Sequence, residues 1–187
     1  MNVTRPAYPT STTIVSLADM KEFLRVDHDD EDTTITALLD TAVAHVSDYT
    51  NRHIGTAANA TFYLSHWRPA ALAFGPVVSV SQVVYDDTSG TQQTLDTSKW
   101  YIGRMAQDST MIYFRDVPDL EEYNALPIRI TASCGGRAEA NIEHAIRMLV
   151  AHWYENRRAV VTGTITAQIP MAVESLLNPM RVIDMRP

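Results

Sequence analysis

The run Asp27-His28-Asp29-Asp30-Glu31-Asp32 places five carboxylates and one imidazole in six consecutive residues. Hard divalent cations are held by oxygen ligands of this kind, but a calcium loop also needs a glycine at its sharp turn and a downstream bidentate glutamate. The run has neither, and it reads as an acidic helix entrance, where carboxylates complement the positive end of the helix dipole. His144 and His152 stand eight residues apart, with Glu143 and Glu155 nearby. Zincin sites need two histidines four residues apart, and ferritin-like sites need Glu-x-x-His from two helices. His152-x-x-Glu155 has the reverse order and occurs once, so neither metal chemistry is expected. Cys134 is the chain's one cysteine. It could act as a nucleophile only with a base such as His144 or His152 brought to it, and no local catalytic signature surrounds it. Gly103 and Gly163 are isolated and form no phosphate-cradling loop. Trp67, Trp100 and Trp153 could stack on a ligand, but their apolar settings favour core packing or burial at a subunit interface. No cofactor, metal or catalytic residue is expected.

The bulk composition narrows the partners. The chain has 187 residues, 45% of them hydrophobic, which suits one ordinary folded domain or one domain carrying an insertion. Net charge is −7, against what a nucleic-acid binder needs to displace counterions from phosphates. Residues 1–136 carry a balance of −8 and residues 137–187 a balance of +1, the latter with arginine as the only basic residue. Arginine suits planar, partly desolvated contacts with carboxylates; ordinary surface charge explains the pattern equally well. One cysteine excludes an internal disulfide framework. The start of the chain shows no signal-peptide pattern, and no apolar run reaches the length of a membrane span, so a soluble protein made in a reducing cytoplasm is expected.

Periodicity then supplies the elements. Residues 1–15, with Pro6, Pro9 and a Ser/Thr cluster, read as an extended N-terminal arm. Ser16 is a plausible N-cap for a short helix carrying Leu17, Met20, Phe23 and Leu24. Ile35, Leu38, Leu39, Ala42, Val43, Val46 and Tyr49 form one apolar stripe of a long helix, closed by Asn51 and Gly55. From about 60 to 135 the period changes. Ile128, Ile130 and Ala132 alternate with polar residues, and Thr61–Trp67, Val77–Tyr85, Trp100–Ile102 and Met111–Arg115 are β-rich. Asp86-Asp87-Thr88-Ser89-Gly90 is turn chemistry between two such runs. After Gly135-Gly136, the spacing of Ile142, Ala145, Ile146, Leu149, Val150 and Trp153 predicts another long helix. Ala159 to Gln168 are uncharged and largely β-branched, a linker or a strand that pairs only with a neighbour. Pro170 can open a last helix with Val173, Leu176, Leu177 and Met180 on its apolar face. The expected fold is α+β, a helical bundle of about four helices with an inserted antiparallel β unit. Its body is 16–59 and 136–159, its β module 60–135, and its linker and C-terminal helix or arm 160–187.

Taken in order, several pieces match a known pattern. Val26-Asp27-His28-Asp29-Asp30-Glu31-Asp32 precedes one long helix, and Tyr154-Glu155-Asn156-Arg157 ends the next. Val160-Val161-Thr162-Gly163-Thr164 follows, then Ile169-Pro170 and Leu176-Leu177-Asn178-Pro179-Met180-Arg181. Over residues 16–183 the chain resembles the phage head–tail connector (adaptor) family, in its branch with a β insertion, which also occurs in gene transfer agents. Met180 stands where that family carries an aromatic, and Arg158 where an acidic residue is common.

The resemblance implies a ring of identical copies, most often twelve, beneath the portal protein in the neck of a virion or phage-like particle, after synthesis in the bacterial host. It implies a lower face that docks the next neck or tail (stopper) protein, and a channel through which DNA passes without sequence-specific binding. The resemblance also implies a C-terminal segment reaching toward the portal. Candidate portal or subunit contacts are Tyr154, Arg157, Arg158, Ile169, Pro170, Val173, Leu176, Leu177, Met180 and Arg181. The uncharged Val160–Ile169 stretch is a candidate for strand addition to another chain. An acidic channel wall would repel phosphate; simple solubility explains the charge as well. The alternatives are a small enzyme using Cys134 with a histidine, and a DNA-packaging accessory factor, which would need a basic recognition helix that neither long helix supplies. No membrane contact is expected.

Overall fold

The computed structural model describes residues 2–8, 14–104, 109–136, 139–156 and 171–182. The fold is α+β, and the chain divides into two compact units. A helical unit holds residues 8–50 and 137–181. A β unit holds 1–7, 51–136 and 182–187.

In the helical unit, α1 (Leu17–Leu24) starts as its sequence dictates. Ser16 is extended, and its hydroxyl accepts from the Asp19 amide at 3.1 Å, satisfying a donor that the first turn leaves without a partner. Arg25 then ends the helix in the left-handed conformation, with φ 59°. The helix α2 (Asp32–Thr50) buries Ile35, Leu39, Ala42, Val43 and Val46, while Leu38 and Tyr49 lie half-buried at the stripe's margin. The helix α3 (Ala140–Glu155) packs on α2 through Ile142, Ala145, Ile146, Leu149 and Val150. The short α4 (Met171–Leu177) packs on both and runs into a 3₁₀ turn, Asn178–Met180. Lys21 reaches from α1 to Asp29 and Asp32 at 2.5 and 2.8 Å, so one cation is shared by two carboxylates of the acidic run.

The β unit holds two antiparallel sheets. The larger has the order β1 (Asn2–Thr4), β2 (Gly55–Leu64), β8 (Ile128–Gly136), β4 (Val77–Asp86), β5 (Gln92–Thr94). The smaller is β3 (Ala70–Leu72), β7 (Thr110–Phe114), β6 (Trp100–Arg104). Strand β8 lies between β2 and β4 and sends Ile128, Ile130, Ala132 and Cys134 into the core. Phe62 on β2, Leu72 on β3 and Ile112 on β7 join them, so the two sheets share one apolar interior. Trp67 packs half-buried against this core and keeps its polar atom satisfied: its Nε1 donates to the Pro118 carbonyl at 2.8 Å, and its ring packs on Tyr85 and Phe114. Strand β2 begins at Gly55, earlier than the change of period near 60, and Asn2–Thr4 of the expected arm pairs along it. Gly135-Gly136, after which the sequence predicts a long helix, is the last part of β8. Gly135 has φ 121°, and a Cβ there would meet His53 at 2.8 Å and Ala57 at 3.1 Å, so only glycine fits.

The loops of the β unit are tied by carboxylates. The Asp87 side chain accepts from the Ser89 hydroxyl at 2.6 Å, from Gln93 at 3.0 Å, and from the Ser89 and Thr91 amides at 2.9 and 3.1 Å, closing the β4–β5 turn. Those donors hold its pKa down at about 2. Asp96 is lowered by Ser98, and Asp29 by Lys21. Each of these groups binds a proton more readily in the unfolded chain than in the folded one. Their contribution to stability is therefore present above about pH 4 and is lost as the pH drops toward about 2. Thermal unfolding followed by circular dichroism at stepped pH checks this. A midpoint that holds steady down to about pH 2 contradicts it.

Candidate interface

Tyr154 lies in the last turn of α3, and its hydroxyl donates to the Glu31 carboxylate just ahead of α2. Sequence placed both residues at helix ends but could not pair them, because they are 123 positions apart. The contact fixes the point from which the chain leaves α3. Arg157, Arg158, Ile169 and Pro170, with the Val160–Ile169 stretch, lie outside the described residues.

The apolar face of α4 is split. Val173 and Leu177 are 0% and 1% exposed, packed within the helical unit. They are not presented to a partner while α4 is docked. Leu176 and Met180 are half-buried, and Arg181 is exposed. The Arg181 guanidinium sits 5.1 Å from the centre of the Tyr49 ring, a cation–π contact, and the Tyr49 hydroxyl donates to Asn178 at 2.9 Å. These two contacts fasten the 3₁₀ turn to α2. Sequence reasoning missed Met171, which is 84% exposed, and Phe23, which is 43% exposed beside His144. Each lies on a helix that also carries buried apolar residues, so periodicity alone assigned Phe23 to the core stripe. No signal marked Met171 beyond its place next to Pro170. The surface that α4 offers is thus a mixed one: Met171, Leu176, Met180 and the Arg181 cation.

The residues considered for chemistry fall elsewhere. Cys134 is fully buried in the β core, where lack of solvation pushes its thiol up to about 12. At neutral pH the thiolate, the form that acts as a nucleophile, is essentially absent. Iodoacetamide is expected to leave Cys134 unmodified in the folded protein and to label it fully in denaturant, as read by intact mass. Rapid labelling of the folded chain contradicts this placement. His144 and His152 belong to the other unit, on α3. Asp29 and Asp32 of the acidic run are occupied by Lys21. Among the described residues no three His, Cys, Asp or Glu side chains are grouped to hold a metal ion. Likewise, no described helix is long and apolar enough to cross a membrane.

A family model described as head completion protein matches residues 13–182. No curated protein matches the chain. Among solved structures, a chain in the neck of an empty gene transfer agent particle, computed with C6 symmetry, has a TM-score of 0.75 at 19% identity. A chain of the native gene transfer agent virion scores 0.75 at 20% identity. A chain in the native neck computed with C12 symmetry scores 0.71 at 17% identity. Each likeness covers 100% of this chain and 98% of the other. At these identities the likeness is one of fold.

Proposed function

Because the chain belongs to the head completion protein family, we propose that it is a structural head–tail connector in the neck of a phage or gene transfer agent particle. The observation that carries the reading is a likeness without remainder. Helices, β unit and C-terminal turn all fall within a match that takes in the whole chain and nearly all of a chain from particle necks. Those necks were computed with C6 and C12 symmetry, which supports a ring of identical copies, twelve in our reading.

A ring closes through heterologous contacts, in which one surface of each copy meets a different surface of the next. Our reading sets the portal protein above the ring and the next neck or tail (stopper) protein below. DNA passes through the channel without sequence-specific binding, in keeping with the net charge of −7. Tyr154, Arg157, Arg158, Ile169, Pro170, Leu176, Met180 and Arg181 are the proposed contact residues. Val173 and Leu177 act by holding α4 in place. Family and fold neighbours are structural particle components, which favours a structural over a catalytic role, and the buried Cys134 thiol points the same way.

The test is a particle preparation from cells lacking the chain. DNA-filled heads without tails are expected, and reintroducing the chain restores tails, with density for it between head and tail. Normal yields of tailed, DNA-delivering particles without the chain would sink the reading.

A further inference from the structure

The larger sheet has one edge that its own strands leave largely open. Strand β4 runs from Val77 to Asp86, but β5 pairs only with Val84, Tyr85 and Asp86. A further bond on that side, from the Leu95 amide to the Val83 carbonyl at 2.8 Å, lies at the very end of that cover. Among the described residues no strand runs along the outer side of Val77–Gln82. Proteins blunt such edges with charges or proline, because exposed N–H and C=O groups recruit other chains. Elsewhere in this unit that protection is visible. Arg5-Pro6 follows β1, Arg68-Pro69 precedes β3, and Lys99 and Arg104 bracket β6. Pro76 stands directly before β4 in the same way, but the edge itself, Val77-Val78-Ser79-Val80-Ser81-Gln82-Val83, has neither charge nor proline, and Val78 is 48% exposed on it. Bulges against β8 at Val77/Ser79 and Val80/Gln82 add local twist, which limits an incoming strand to a short one.

We propose that this edge receives, as an added strand, part of Val160–Ile169 from a second copy of the chain; the inference rests on the ring reading above. The donor fits by composition. Seven of its ten residues are β-branched and none is charged, so it carries the strand preference and the neutrality of the acceptor. It also fits by length. Fourteen residues separate Asn156 from Met171. At about 3.3–3.6 Å per residue they can run out and back by roughly 25 Å. Donor and acceptor are different parts of one chain, so each copy gives one strand and takes one. That is the head-to-tail relation a closed ring requires. Backbone hydrogen bonds of the added strand supply affinity, while Val78 and its neighbours set register.

Two single variants, Val78→Cys and Thr164→Cys, distinguished by tags of different size, are co-expressed during particle assembly and treated with a short bismaleimide. The native Cys134 is fully buried and stays silent. We expect a crosslinked pair containing one of each variant, no product from either variant alone, and a ladder of multimers from a chain carrying both changes. An internally closed monomer from the double variant means the segment occupies its own edge and overturns the proposal. An adduct with another particle protein, or no adduct, overturns it equally. Occupancy of the neck is read separately by electron microscopy. Occupied necks without the crosslink sink this inference alone, whereas necks lacking the chain sink the ring reading with it. In a second readout, the pair Val78→Lys and Gln82→Lys lowers incorporation into particles by about tenfold or more with the thermal midpoint unchanged. Normal incorporation overturns the proposal.

Discussion

Cutting the chain before Met171 is expected to destabilise the helical unit itself, and not simply free it from a partner. Val173 and Leu177 are 0% and 1% exposed. Fully burying a side chain of this size stabilises by roughly 1.5–3 kcal/mol, and the truncation also bares the apolar faces of α2 and α3 that α4 covers. Leu177→Ala alone is expected to cost about 2–5 kcal/mol, the transfer term plus a cavity. Urea unfolding followed through Trp153, which sits on α3, reads the change as a lower midpoint with an unchanged slope. An unchanged midpoint after truncation would contradict the placement of α4. The result bears on how docking is tested. Deleting residues 169–187 confounds folding with partner contact. Met171→Asp acts on a side chain that is 84% exposed on the same surface and separates the two.

Asp86→Ala is expected to loosen the β unit by roughly 2–4 kcal/mol, between the loss of a charged hydrogen bond and the breaking of a fully buried pair. Both carboxylate oxygens of Asp86 accept from the Arg129 guanidinium, across β4 and β8, and Asn124 adds a bond at 2.6 Å. The Asp86 backbone also bonds to Glu121 and Pro127. One residue therefore fastens the long connection from β7 to β8. Its side chain is 12% exposed and that of Arg129 27%, so removing the carboxylate leaves a cation with little water to replace it. Pairing Asp86→Ala with Arg129→Met should return part of the loss. The pH dependence has a definite sign. The Arg129 guanidinium, helped by Asn124, lowers the Asp86 pKa below its ordinary value. The contribution is thus present above about pH 4 and disappears as pH falls through the folded value, so the variant should lose less stability in acid than the parent. A variant as acid-sensitive as the parent would show that Asp86 is not a main source of that sensitivity.

Sequence disclosed most where one local signal and one buried face agreed. Ser16 and Asp19 announced the start of α1, the spacing from Ile35 to Val46 gave α2, and the alternation of Ile128, Ile130 and Ala132 gave β8. It disclosed least where pairing alone makes the element. Strands β1, β3 and β5 have three residues each, and β5 is exposed throughout, so no apolar period marks them. The division into two sheets depends on partners distant in sequence, as with Thr4 against Thr61. At the candidate interface, the spacing of Val173, Leu176, Leu177 and Met180 showed that α4 has an apolar face. It could not show that Val173 and Leu177 are spent on the chain's own helices. That distinction requires knowing what lies opposite, which periodicity does not encode.

The interleaving of the two units also governs the order in which the chain can fold as it is made. Synthesis runs from the N-terminus, so α2 emerges with Ile35, Leu39, Val43 and Val46 ready to pack, yet their partner α3 comes only after residues 51–136. Nearly all of the β unit can close during that interval, since β1 has already left the ribosome and β8 completes the larger sheet. The helical unit cannot: its first half waits, apolar face uncovered, for the last quarter of the chain. Premature termination near Gly136 should therefore release a folded sheet bearing an unpartnered sticky helix, a species for chaperones and proteases to remove.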